Sequence, residues 1–249
     1  MLIYHRGITA ACSQAAAVLD RQGIPLVDHP CPEVTHLLLD VPSFASDGGL
    51  RDGGSISGTL EMLPASTVVI GGNLTRPELH KHETLDLLKD PEYLARNAAI
   101  TASCALEIAA PILGVTLPEA PVLIIGWGRI GKCLAKQLDG LGCSVTVAAR
   151  NPSDRAMAAA LGWSAADISE IPALLSGVRL LINTVPAPIL GETVLNQAPK
   201  CVKLDLASLP GLSGKDVIYA RGLPGRCAPE SSGQLIAERI LSHLRRTSI

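Results

Sequence analysis

Apolar residues in this chain arrive in short runs of four or five, set between stretches whose apolar positions recur every three or four residues. The first pattern suits strands buried in a sheet and the second suits helices packed on it. Met1 to Tyr4, Ile24 to Val27, Thr35 to Val41, Ser66 to Ile70 and Thr84 to Leu88 read as strands of a first region, with an Ala-rich helix from Thr9 to Gln22 closed by Gly23. Residues 43–58, rich in Gly, Ser and Asp, read as a mobile loop that could serve as a lid. A long helix is predicted from Pro91, capped by Asp90, through Asn97, Ile100, Cys104 and Ile108 to Leu113, where Gly114 and Pro118 end it. Its alanine content suits a helix at a domain boundary.

Beyond Pro121 the alternation becomes regular. Val122 to Ile125 is a strand, Lys132 to Leu138 lies in a helix, and Ser144 to Ala149 is the next strand. Helices near Ser153 to Leu161 and Ile168 to Leu175 follow, with strands at Val178 to Ile182, Val202 to Leu206 and Val217 to Ala220. Such alternation implies right-handed crossovers and a parallel sheet covered on both faces. The run from Gly222 to Gly233 reads as a long turn-rich loop, with Ser231 or Ser232 able to cap a final helix to about Arg245. The expected fold class is therefore α/β. A Rossmann-like doubly wound parallel sheet spans residues 98–227, entered by the boundary helix. A smaller flavodoxin-like α/β domain spans residues 1–97, to which a C-terminal helix, 228–249, returns.

The chemistry concentrates at Gly126-Trp127-Gly128-Arg129-Ile130-Gly131, a G-x-G-x-x-G between a strand and a helix. In that setting the first glycine allows the tight turn, the second lets a pyrophosphate approach backbone, and the third lets helix pack on strand. The helix N-terminus adds unpaired N–H groups and partial positive charge. The position about 20 residues past the last glycine, where NAD enzymes tend to hold a carboxylate for the ribose 2′-hydroxyl, is Arg150. A guanidinium there binds a 2′-phosphate and stacks on adenine, and Asn151 and Ser153 can add neutral donors, so NADP is the expected cofactor. Two later strand ends, Asn183-Thr184-Val185-Pro186 and Asp205-Leu206-Ala207-Ser208, point short polar groups at the carboxyl edge, where nicotinamide and its ribose would sit. The same residues also suit ordinary turns in which Asn and Asp bond their own backbone.

Composition narrows the alternatives. The net charge of −2 and 2% aromatic content argue against nucleic acid. No apolar run reaches membrane-spanning length, and Met1 to Arg6 lacks the marks of a signal peptide. Seven scattered cysteines form no C-x-x-C, so zinc and a disulfide framework are both unsupported, and a cytoplasmic location follows. His80 and His82 could share one face of a strand, though a solvated pair explains them; Arg96 and Asn97 sit on the boundary helix within reach of a ligand. No metal site is expected.

The ordered set Gly126–Gly131, Ala149-Arg150, Asn183–Pro186, Asp205–Ser208 and Leu223-Pro-Gly-Arg-Cys-Ala-Pro-Glu-Ser-Ser-Gly-Gln234 resembles the dipicolinate synthase A-subunit family over roughly residues 85–240. That resemblance implies an NADP-linked oxidation of a dihydrodipicolinate-level cyclic dicarboxylate to dipicolinate, a spore component, with the flavoprotein-like B-subunit of that enzyme as partner; separately, a homo-oligomer stays open. It also marks Asn97 and Thr101 as catalytic candidates that orient the substrate, from the family's N-S-I-P-T-x-E-G. In this chain Ser103 stands where that motif has glutamate, and Glu230 stands where a lysine is expected. Two other readings share the architecture: a shikimate- or 2-hydroxyacid-type dehydrogenase, and a non-catalytic NADP-binding regulator.

Overall fold

Among residues 1–247, which the computed structural model describes, strands and helices form two all-parallel sheets. The chain divides into two units, one made of Met1–Asn97 with the residues from Pro224 onward, the other of Ala98–Leu223.

The first unit begins with β1 (Ile3–His5), α1 (Ala10–Arg21), β2 (Leu26–Val27) and β3 (His36–Leu38). It continues with α2 (Ile56–Glu61), β4 (Val68–Gly71), β5 (Thr84–Asp86) and the start of α3 (Pro91–Ala109). Its sheet has the order β2-β1-β3-β4-β5, the flavodoxin-like winding in which strand order reverses between β1 and β3. One core cluster, including Leu37, Leu39, Leu50, Ile56, Val69 and Leu74, draws on the strands and on the connection after β3 alike. Thr9 caps α1, its hydroxyl accepting from the Cys12 N–H at 3.3 Å, and Gly23 at φ 77° ends the helix region. Asp90 does the same for α3, its Oδ1 accepting from the N–H groups of Glu92 and Tyr93 at 2.9 and 3.2 Å.

The connection 43–58 is not the mobile loop expected. Arg6, leaving β1, donates from Nε to Asp52 at 2.9 Å and from Nη1 to Thr59 at 2.5 Å. Phe44 and Leu50 bridge in antiparallel fashion, and Ser55 caps α2. A partner 46 residues away thus pins a segment whose composition alone reads as solvated.

The second unit runs β6 (Val122–Ile125), α4 (Arg129–Gly140), β7 (Val145–Ala148), α5 (Pro152–Ala160), β8 (Ser164–Ala166) and α6 (Ile171–Leu174). After these come β9 (Leu180–Asn183), α7 (Glu192–Leu195), β10 (Val202–Asp205) and β11 (Val217–Tyr219). Sheet order is β11-β10-β9-β6-β7-β8. Renumbered within the unit this is the doubly wound Rossmann order, with its reversal between β6 and β9. β6 is buried at every position, as a strand covered on both faces must be. β8 and α7 have no counterpart in the expected elements: β8 has only small side chains, and α7 is a single turn. The helix expected from Ile168 to Leu175 is broken into tighter turns around α6, and α3 gives way at Ala110 to a 3-10 turn rather than continuing to Leu113.

The chain ends with α8 (Leu223–Cys227) and α9 (Pro229–Thr247). The long loop expected over 222–233 is therefore largely helical. Ser231 and Ser232 lie inside α9 and cap nothing. Ser232 is 4% exposed, and its Oγ has no partner among the described residues. α9 packs against α1 so closely that a Cβ on Gly233 would lie 2.8 Å from the Ala11 carbonyl oxygen and the Ala15 nitrogen. Arg239, 8% exposed, is held by Asp90 at 2.8 Å and by Glu92. Arg96 pairs with Glu238 at 2.6 Å, so its charge serves this packing and is not a free ligand group. Of the C-terminal segment 228–249 expected to return, positions 248 and 249 lie outside the described residues.

Candidate cofactor site

The turn between β6 and α4 sits at the strand reversal of the second sheet. Gly126 takes φ +102°, a region that disfavours side chains, and a Cβ there would crowd the Thr184 hydroxyl and the Val185 methyl, 2.5 and 2.8 Å away. Thr184 secures this approach by donating its N–H and its hydroxyl to the Ile125 carbonyl at 2.9 and 2.8 Å. Gly131 lies in the first turn of α4, where a Cβ would collide with the Gly126 carbonyl oxygen. Helix and strand can approach this closely only with glycine in place.

Gly128 differs from both. It stands at the N-cap of α4 in extended conformation, no side chain caps the helix, and a Cβ there would meet nothing within 4 Å. The backbone N–H groups of Arg129, Ile130 and Gly131 open the helix beside this open face, where the helix dipole favours an anion. This cradle fits a dinucleotide pyrophosphate. Trp127 does not face it: the indole is 6% exposed and packs edge-on against Trp163 with centroids 5.4 Å apart. Lys132 lies with its Nζ 5.8 Å from the Trp127 ring. Nε1 of each tryptophan is buried without a partner among the described residues.

Arg150 follows the end of β7 and is exposed. Its guanidinium makes no hydrogen bond or ion pair among the described residues. Arg155 does the bracing instead, its Nη1 donating to the carbonyls of Ala149 and Arg150 at 2.8 Å and to Asp167 at 2.6 Å. Hydrogen bonds from the Ser169 N–H and hydroxyl, with the Arg155 charge, hold the Asp167 carboxyl below the usual range. The nearby carboxylate is thus already satisfied. Asn151 caps α5, its Oδ1 accepting from the Ser153 N–H at 2.9 Å, and Ser153 is exposed. Arg155 is visible in the sequence as the end of R-N-P-S-D-R, but nothing there distinguishes its role from that of Arg150.

Asn183 and Asp205 sit at the carboxyl ends of β9 and β10, and both side chains are turned inward, 0% and 1% exposed. Asn183 donates to Asp205 at 3.1 Å and to the Val185 carbonyl at 3.0 Å, and accepts from the Val185 N–H. Asp205 accepts in addition from the N–H groups of Ala207, Gly211 and Leu212 at 3.0, 2.7 and 2.9 Å. The pair therefore shapes two loops, and what those loops can offer a ligand is their rims: Pro186 and Ser208 are exposed, and Ala207 is buried.

Asn97 and Thr101 stand one turn apart on α3, Asn97 half-buried and Thr101 buried. Ser103 reaches the Ala99 carbonyl and Gln137 on α4 at 3.2 and 3.4 Å, so it serves helix packing. His80 follows a 3-10 turn and is exposed, while His82 contacts the Thr67 carbonyl at 3.2 Å; they do not share a strand. No group of three or more His, Cys, Asp or Glu among the described residues could hold a metal ion, and no described helix is long and apolar enough to cross a membrane.

Residues 96–198 match the family model of the D-isomer specific 2-hydroxyacid dehydrogenase NAD binding domain. The dipicolinate synthase A-subunit of Bacillus subtilis (strain 168) is 30% identical over 202 residues, which cover 74% of this chain and 67% of that protein. The crystal structure of the Bacillus subtilis dipicolinate synthase A-subunit superposes with a TM-score of 0.80 at 22% identity, covering 99% of this chain and 96% of that one. The corresponding A-subunit from Bacillus halodurans gives 0.79 at 23%, with 98% and 97% covered.

Proposed function

The chain belongs to the dipicolinate synthase A-subunit family, and from that premise we propose that it oxidises a dihydrodipicolinate-level cyclic dicarboxylate to dipicolinate with NADP as cofactor. It is an NAD(P)-dependent oxidoreductase. The choice of NADP is supported by one observation above others: the strand end that would carry a carboxylate in an NAD site carries an exposed Arg150 with no partner among the described residues.

The chain's own groups divide the work. Backbone N–H groups at 129–131 hold the pyrophosphate, aided by the dipole of α4. Arg150 takes the 2′-phosphate, with Ser153 beside it and Asn151 holding the turn. The loops shaped by Asn183 and Asp205 present Thr184, Val185, Pro186, Ala207 and Ser208 as the wall against the nicotinamide ribose and ring. Asn97 and Thr101 orient the substrate, a positioning task that matters more here than strong acid or base chemistry. Bound nicotinamide would supply the two-electron acceptor. A flavoprotein-like B-subunit as partner rests on the family alone, and seven cysteines without a disulfide suit a reducing cytoplasm.

The test is turnover. Purified chain, with freshly generated dihydrodipicolinate and NADP, should produce reduced nicotinamide, read by its absorbance, together with dipicolinate. Cofactor binding without product would favour a regulator, and turnover of a 2-hydroxyacid would move the chain to the activity its 96–198 match names.

A further inference from the structure

A Rossmann sheet chooses between the two nicotinamide cofactors where the strand after the glycine turn ends, and in the second unit two strands end there side by side. β7 and β8 pair in parallel with Ala148 opposite Ala166, and the Ala149 N–H donates to the Ala166 carbonyl at 3.1 Å. The chain thus leaves β7 through Ala149 and Arg150 beside the point where it leaves β8 through Asp167. A carboxylate at that edge repels a 2′-phosphate whether it stands on β7 or comes from the neighbouring strand.

Local turn chemistry accounts for only half of the Asp167 carboxylate. Its Oδ1 accepts from the Ser169 N–H and hydroxyl at 3.0 and 2.8 Å, and its own N–H donates to Glu170 at 2.7 Å, an ordinary capping arrangement. Oδ2 takes no part in that cap. It accepts from Nη1 of Arg155 at 2.6 Å, and the same nitrogen donates to the Ala149 and Arg150 carbonyls at 2.8 Å each. A single guanidinium nitrogen therefore stands between this carboxylate and the backbone of Arg150. Helix chemistry does not explain the arginine. Arg155 lies in the first turn of α5, its N–H on the Asn151 carbonyl at 3.2 Å, the end at which the helix dipole disfavours a cation. The three acceptors set its place. Arg155 and Asp167 are 25% and 35% exposed, so solvent weakens their charges without cancelling them.

We propose that Arg155 is a positioning residue for cofactor choice: it masks the Asp167 carboxylate and fixes the carbonyls of Ala149 and Arg150, so that the edge shared by β7 and β8 accepts a 2′-phosphate. The assignment rests on the NADP reading given above and makes the preference a property of three side chains, Arg150 attracting and Asp167 held silent by Arg155. Guanidinium suits the masking task because its charge is permanent and its planar nitrogens reach carbonyl and carboxylate acceptors together.

Calorimetry of NADPH and NADH on the full chain reads the preference as the ratio of the two Kd values. Wild type should prefer NADPH. Arg155→Met, which keeps the stem and drops the charge, should raise the NADPH Kd about tenfold and leave NADH within about twofold. Arg155→Gln, which still offers an amide donor to the two carbonyls, should shift the ratio the same way. The double variant Arg155→Met with Asp167→Asn has no carboxylate left to uncover, so its ratio should return to within about threefold of wild type although the carbonyls still lack their donor. Asp167→Asn alone should keep the preference. A ratio unchanged within about twofold in both single arginine variants overturns the inference. So does a weakening of both cofactors alike that the double variant leaves in place, which makes Arg155 a brace and nothing more, and so does loss of preference in Asp167→Asn. Wild type that prefers NADH removes the NADP reading itself, a result independent of any variant.

Discussion

Replacing Arg150 by alanine isolates the cofactor choice. The side chain is exposed and without a partner among the described residues, so its removal breaks no internal contact and folding stability should change by no more than about 0.5 kcal/mol. On the function proposed above, what disappears is a charge-assisted contact to a group present in NADPH and absent from NADH. Hydrogen bonds to charged groups contribute roughly 1.5–3 kcal/mol, and exposure to solvent and salt draws this one to the lower end. A loss of about 1.5–2 kcal/mol is a rise of roughly 10- to 30-fold in Kd for NADPH. NADH affinity should stay within twofold. Calorimetry of both cofactors against wild type and variant at two ionic strengths reads this directly, and the wild-type preference for NADPH should shrink as salt rises. Equal weakening of both cofactors, or a wild type that prefers NADH, would refute the assignment of the 2′-phosphate to this residue.

Three other outcomes follow from the packing. Gly131→Ala places a methyl against the Gly126 carbonyl oxygen, a backbone atom that cannot yield easily. It should cost about 1–3 kcal/mol in a thermal or urea melt and weaken NADPH and NADH alike. Asp205→Ala leaves the N–H groups of Ala207, Gly211 and Leu212 and the Asn183 amide without their acceptor in a buried setting. A loss of roughly 3–5 kcal/mol is expected, seen as a lower urea midpoint. Burial alone would raise the Asp90 carboxyl, but hydrogen bonds from Arg239, Tyr93 and Glu92 and the guanidinium charge hold it below its ordinary range. A carboxyl depressed in the folded state stabilises above its unfolded pKa and loses that contribution as pH falls through the folded value. Wild type should therefore lose stability on acidification below about pH 4, and Asp90→Asn, weaker at neutral pH, should lose less over the same range; parallel pH profiles would contradict this.

How much of this could be read from the chain alone depended on whether the signal was local. Val122–Ile125 followed by spaced glycines carries strand, turn and helix within a dozen positions. The strand end at Asn183 is equally legible, because a polar residue after Leu180, Leu181 and Ile182 marks the edge, and Asp205 closes a shorter apolar stretch interrupted by Lys203. The direction of their side chains was not, since inward bonding to loops 183–185 and 205–212 depends on where two separate connections meet. The run 222–233, expected as a turn-rich loop, is largely helical because Pro224 and Pro229 occupy the first turns of α8 and α9, where a missing N–H costs nothing. Residues 43–58 look unstructured because what orders them, Arg6, lies far upstream. β8, Ser-Ala-Ala, holds no β-branched or aromatic residue and takes its place from pairing with β7.

The first unit is assembled from two segments separated by more than a hundred residues of the other unit, about 98–223, with α9 seated on α1 and Arg239 reaching back to the start of α3. A ribosome releases these parts in the wrong order for early completion. The Ala-lined face of α1 must wait, uncovered, while residues 98–223 are made, and only α9, synthesised after them, can shield it. Chains stopped short of residue 229 should accordingly be hazardous to the cell as sticky fragments, even though the glycine turn at 126–131 would already be complete.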